Sequence, residues 1–258
     1  MYIKKIYEMG GYREIHKYFR YGCPKGKRGQ KHDKTSDPVI RYNRKLKARK
    51  LQRLILANFA EGDWHLVLTY AKDERPETMA AAKKDLRAFI RKLKRRYEKA
   101  GHDLRYICMT ERGKKGACHH HLIIQDVQDG SMSVKSAVME SWKGMKNFTP
   151  LYDQDAFREL ADYMTKDETK EDQTGVSYSR SRNLITPKPK VRRIRAREWA
   201  EEPKSDQEFE VIKGTVETGE NPQTGMPYLR YFMKRIKRRS KNDGNKRKAQ
   251  KKKQKIQP

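Results

Sequence analysis

With 258 residues, 35% hydrophobic and 37% charged, the chain can bury one good-sized core but not its whole length, so part of it is expected as solvated arms. Its 62 Lys and Arg against 33 Asp and Glu leave a net charge of +29, which draws in polyanions and names a partner class without naming a task. Cys23, Cys108 and Cys118 are widely spaced and form no CxxC pair, so neither a zinc ribbon nor a disulfide framework is supported, and no signal-peptide core or long apolar run occurs.

Taken together these features predict a soluble, unexported, cytoplasmic protein with no membrane partner. Residues 1–45 read as a basic N-terminal arm with a loop-like centre. Gly22, Lys25, Gly26 and Lys27 superficially suggest a phosphate loop, but the spacing is wrong, no apolar strand precedes them and no Ser or Thr follows the lysine. No phosphate loop occurs elsewhere, which argues against a built-in ATP-driven helicase and a nucleotide cofactor. Residues 39–59 predict a basic helix with Leu46, Leu51, Leu54 and Ile55 on one face.

The pattern then changes. Residues 64–70 predict a strand, residues 77–99 an amphipathic helix with Leu86, Phe89, Ile90, Leu93 and Tyr97 on its stripe, and residues 104–111 a second strand. A turn at 112–116 leads into a third strand over 118–125. A connection this short can only be a hairpin. A short helix over 134–143 and a short strand over 148–152 follow. The next helix, 155–166, has Asp155 near its cap and an apolar stripe of Phe157, Leu160, Ala161 and Met164. A final strand is expected around 176–182. Residues 191–233 form a C-terminal extension with a hairpin-like stretch. The last 25 residues, 234–258, hold 13 Lys or Arg and a single acid and predict a disordered polybasic tail. The order of elements points to an α+β domain over residues 46–190, built on a central antiparallel sheet with flanking helices.

Two segments carry chemistry. In a strand over 118–125, His119 and His121 share one face and His120 takes the other, so two imidazoles can converge on one metal ion. Glu111, at the end of the preceding strand, is the candidate third ligand. Two nitrogens and one carboxylate oxygen suit Mn²⁺, Mg²⁺ with phosphate ligands, or Zn²⁺. On the 155–166 helix, Tyr163 lies at the margin of the apolar stripe, where its hydroxyl can enter a cleft, with Lys166 one turn on. A cation there can stabilise a phenolate or a nearby phosphate.

At this point the sequence resembles the HUH superfamily, most closely its single-tyrosine rolling-circle replication initiators. The strand His65-Leu66-Val67-Leu68-Thr69-Tyr70 resembles the family's first motif, and His119-His120-His121 its His-hydrophobic-His metal motif with a histidine in the middle. Glu111 matches the upstream acidic ligand, and Tyr163 with Lys166 the catalytic Tyr-x-x-Lys. The resemblance implies an RRM-like palm fold and a divalent ion, Mn²⁺ or Mg²⁺. It also implies single-stranded DNA at an origin as substrate, a 5′-phosphotyrosine intermediate, and host helicase and polymerase as partners. Arg180, Arg182 and Asn183 fall in a segment resembling the one that follows the family's tyrosine and are candidate DNA contacts, as are Lys234 and Arg235 at the start of the tail. A single-tyrosine transposase or a relaxase would share the nicking chemistry. A non-catalytic DNA- or RNA-binding protein with incidental histidines is the alternative of a different class.

Overall fold

The computed structural model describes residues 1–19, 35–113, 116–152, 155–166 and 178–236. The basic loop around Gly22–Lys27, Cys23 and the polybasic run from 237 onward lie outside them. The described elements are β1 (Tyr2–Met9), β2 (Tyr12–Phe19), α1 (Asp37–Asn58), β3 (Trp64–Leu68), α2 (Met79–Lys99), β4 (Tyr106–Arg112), β5 (Cys118–Ile124), α3 (Val134–Ser141), β6 (Lys146–Pro150), α4 (Arg158–Thr165), β7 (Ser179–Arg180), β8 (Lys190–Ile194), β9 (Phe209–Val211), β10 (Glu217–Glu220) and β11 (Pro227–Arg235). The chain is α+β with antiparallel sheets and flanking helices. No helix among the described residues is long and apolar enough to cross a membrane.

The first sheet runs β6-β3-β5-β4-β7, with every pair antiparallel. Strand alternation divides its side chains between two cores. Ile107, Met109 and Ile123 face α1 and α4 and pack with Leu51, Ile55 and Met164. Cys108, Leu122, Ile124, Leu66 and Leu68 face α2 and α3. The α2 stripe of Leu86, Phe89, Leu93 and Tyr97 is buried as its spacing dictates, each side chain contributing about 1.5–3 kcal/mol. Thr78 caps that helix by accepting the Ala81 N–H at 3.1 Å. Burial pushes the Cys108 thiol up to about 12, so it serves as a small core side chain, as does Cys118.

The N-terminal segment, read from sequence as a basic arm, forms a hairpin that closes in two residues between Met9 and Tyr12, with Gly10 at a φ of 57° that favours glycine. This hairpin joins β8, β9, β10 and β11 in a second sheet of order β10-β11-β2-β1-β8, with β9 on β11. Met9, Tyr12 and Phe232 of this sheet share a core with α1. Glu14, fully buried, accepts ion pairs from Arg53 of α1 at 3.4 Å and Arg230 at 3.3 Å. Arg49 of α1 reaches Glu217 at 2.5 Å. Helix α1 therefore lies between the two sheets.

Three further sequence expectations are corrected. Lys234 and Arg235 do not begin a tail but end β11, opposite Tyr12 and Phe209, because the buried, mostly apolar run 228–233 before them carries the pairing through. The helix predicted from Asp155 breaks into a 3-10 turn at Asp155–Phe157 and α4 proper. Its cap is Phe157, with no side-chain cap bond. Ala156 and Phe157 hold positive φ values of 52° and 57°, a costly backbone for residues other than glycine. Burial of the Phe157 ring and the bond from Gln52 Nε2 to the Ala156 carbonyl, 2.8 Å, hold the bend. Of the strand expected around 176–182, residues 176 and 177 lie outside the described residues, and among the described ones β7 covers Ser179–Arg180.

Candidate metal and tyrosine site

The register of the β4–β5 hairpin assembles the first half of the site. Glu111 pairs directly with His119, and Met109 with His121, so Glu111, His119 and His121 rise from the same face. One ligand atom from each of the three lies within 4.8 Å of the others, so this group could hold a metal ion. The donor set fits such an ion: two imidazole nitrogens and a carboxylate oxygen, on side chains only 6 to 21% exposed and on paired strands.

Glu111 Oε1 is the hub. It receives His119 Nε2 at 2.5 Å, His121 Nε2 at 3.2 Å and the Tyr163 hydroxyl at 2.8 Å. Burial works to raise its carboxyl, but these three hydrogen bonds outweigh it and hold Glu111 well below the usual carboxylate range. Glu111 in turn lifts the His119 imidazole above its ordinary value. Gly113 closes the turn beside His119, where an added Cβ would stand 3.2 Å from the ring.

The second half comes from α4. The bend at 156–157 aims this helix across the β4–β5 face, with Ala161 and Met164 buried beneath it and Tyr163 at the edge of the stripe. Tyr163 is 36% exposed, and its hydroxyl also lies 3.1 Å from His121 Nε2. Burial first, then the hydrogen bond and charge of Glu111, raise the phenol above its ordinary value, so the resting group is protonated. Lys166 sits at the end of α4, exposed, with its backbone N–H on the Tyr163 carbonyl at 3.2 Å.

His120 points to the opposite face, fully buried, between the Tyr70 hydroxyl at 2.8 Å and Thr110 Oγ1 at 2.8 Å. Burial pushes its imidazole down to about 3, so it is neutral. The structure also brings to the site a residue that the sequence placed in the first motif but gave no role there. His65 of β3 stacks on His121 at a 5.5 Å centroid distance and 19° between planes. Register explains the contact, since His65 falls opposite Ile123, two residues along from His121 on the same face.

The candidate DNA contacts are dispersed. Arg180 lies on β7 and donates to Thr186 Oγ1 at 3.1 Å, and Arg182 is exposed. Asn183 donates to the Leu104 carbonyl at 3.3 Å. Lys234 sits over the Tyr12 ring, 5.8 Å to its centroid, and Arg235 over Phe209 at 5.0 Å, both on the second sheet.

Fold and site define a class: an antiparallel α+β sheet that carries a His-His-Glu group beneath a helix-borne tyrosine. Residues 63–168 match a family model described as Replication-associated protein ORF2. That span holds Glu111, His119, His121, Tyr163 and Lys166, whereas the second sheet falls outside it. The match supports a role in DNA replication. No curated protein and no solved structure matches the chain.

Proposed function

We propose that the protein is a replication initiator that nicks and rejoins single-stranded DNA through Tyr163. The observation that carries this reading is the Tyr163 hydroxyl bonded to Glu111 at 2.8 Å and 3.1 Å from His121, two members of the group suited to a metal. A tyrosine with only a packing role would not need its oxygen there.

Glu111, His119 and His121 would hold the ion, Mn²⁺ or Mg²⁺ by the match of hard oxygen and imidazole donors to phosphate chemistry. Bound there, it would supply Lewis-acid polarisation of the scissile phosphate. The chain's own groups do the rest. The Tyr163 oxygen attacks phosphorus, forming the tyrosyl O–P bond, and the P–O3′ bond breaks. The phenolic proton passes to the Glu111 carboxylate, which accepts the Tyr163 hydroxyl at 2.8 Å and keeps further lone pairs beside an ion, and the departing 3′ oxygen takes up a proton from water to become a hydroxyl. The exposed Lys166 at the end of α4 would accompany phosphate charge. The phosphotyrosine ester keeps the bond energy, so a 3′-hydroxyl can reverse the step without a nucleotide cofactor.

The test is incubation of labelled single-stranded DNA with Mn²⁺, read on a denaturing gel. A covalent protein–DNA adduct with release of a 3′-hydroxyl fragment is expected. Cleavage without an adduct would replace the tyrosine mechanism with hydrolysis, and binding alone would favour the non-catalytic reading.

A further inference from the structure

The second sheet carries a charge arrangement that folding alone disfavours. Strand pairing sets Lys4 of β1 directly opposite Lys17 of β2 on one side and Arg192 of β8 on the other. Opposed side chains in antiparallel strands have Cβ atoms roughly 4.5–5.5 Å apart and share a face, and like charges so placed are destabilising. Here three cations form one row across three strands. Burial, followed by the charges of Arg192 and Arg13, lowers the Lys4 ammonium below its ordinary value, and burial together with Lys4 does the same to Lys17. Among the described residues none of the three has a carboxylate at ion-pair distance. Asp206, the acid that acts on Lys4, is itself bonded to Arg13 at 2.9 Å.

The row ends at an open edge. Among the described residues strand β8 pairs with β1 alone, and every residue from Lys190 to Arg193 is exposed. Residues 178–197 contain no acid, and Arg180, Lys188, Lys190, Arg192, Arg193 and Arg195 recur through them. This segment begins at β7, the edge of the first sheet beside β4, and runs on into the edge of the second. Cations on an edge strand are commonly a guard against strand addition. That explanation covers Arg192 but not Lys4 and Lys17, which lie on inner strands.

We propose that the β8 edge, with the Arg192–Lys4–Lys17 row beside it, is a sequence-independent clamp for the phosphate backbone of DNA outside the nuclease site. A row of unneutralised cations beside further exposed cations matches a polyanion of regular charge, and counterion release on binding offsets the repulsion the fold tolerates in its absence. The clamp does not depend on the tyrosine chemistry, since it is read by binding alone.

The test compares the full-length protein with Lys4→Gln/Lys17→Gln/Arg192→Gln on a short duplex of unrelated sequence across a salt series. The slope of log affinity against log salt should fall by about 2–3, because each neutralised phosphate contact is worth about 0.9. Affinity at low salt should drop at least about tenfold. The melting temperature should hold or rise by roughly 1–3 °C as like-charge repulsion is relieved. A control, Lys84→Gln/Arg91→Gln/Arg95→Gln on the exposed face of α2, should leave the slope unchanged. An unchanged slope in the first variant, an equal fall in the control, or a lowered melting temperature alongside weaker binding would each overturn the clamp.

Discussion

His65 Nε2 lies 3.3 Å from His121 Nδ1, so the ring whose other nitrogen faces Glu111 and Tyr163 is held from behind by a second imidazole. Burial, with His121 adding to it, pushes His65 down to about 4, which keeps it neutral and able either to donate or to accept. For His121 to offer its Nε2 lone pair to a cation, its proton must sit on Nδ1, and His65 is the group placed to accept it. Such orienting partners typically govern 10- to 100-fold in metal affinity. His65→Ala should therefore weaken Mn²⁺ binding by about that factor in an EPR titration, with His65→Gln recovering part of it. Equal Mn²⁺ affinity in His65→Ala and the parent would leave His65 a packing residue only.

Tyr163→Phe retains the ring over the β4–β5 face and removes the oxygen bonded to Glu111. Adduct formation should vanish while DNA affinity stays within about threefold and stability within about 1–2 kcal/mol of the parent. Mass spectrometry of the parent adduct should map the nucleotide to Tyr163. Mapping to Tyr152 or Tyr178 would refute the assignment.

The three adjacent histidines should separate into two behaviours. Ala at His119 or His121 removes a candidate ligand and should abolish cleavage with a modest change in stability. Ala at His120 instead opens a cavity behind the strand and strands Thr110 Oγ1, at a cost of about 2–4 kcal/mol, though Tyr70 retains Asp85 as a partner. Assayed well below its melting point, His120→Ala should still cleave. A folded but inactive His120→Ala would mean that this residue serves the chemistry directly.

The grouping of Glu111, His119 and His121 was legible because it rests on local periodicities. Alternation along 118–125 placed His119 and His121 together and His120 apart, and the short connection forced the hairpin that sets Glu111 beside them. Helical spacing put Tyr163 at the margin of its stripe. What escaped depended on pairing between distant segments. His65 reaches His121 only because β3 joins β5 across 56 residues of sequence. The hairpin of residues 2–19 did leave a local mark, two glycines between runs rich in Ile and Tyr. Its dense lysines read as a solvated arm, and the strands that complete its sheet lie beyond residue 189. The bend at Ala156–Phe157 uses left-handed backbone at residues that do not favour it, a tertiary effect without a sequence signature.

Acid should loosen the second sheet through His16. This residue is half-buried between the Tyr18 and Tyr228 rings, and Arg230 Nη2 donates to its Nε2 at 3.5 Å. Burial first, then the charges of Arg230, Lys5 and Arg53, push it down to about 3 from 6.5. Between those two values the unfolded chain binds a proton that the folded chain refuses. Stability contributed by neutral His16 is therefore complete above about pH 6.5 and is lost as pH falls toward 3. His16→Gln keeps an acceptor for Arg230 without a titrating ring. Urea unfolding at about pH 7 and about pH 4.5 should show the parent losing more stability than the variant over that interval. His65 and His120, also held neutral, remain in both proteins, so the variant should still weaken in acid, only less steeply. Parallel losses in parent and variant would mean that His16 takes up its proton in the folded state as readily as in the unfolded one.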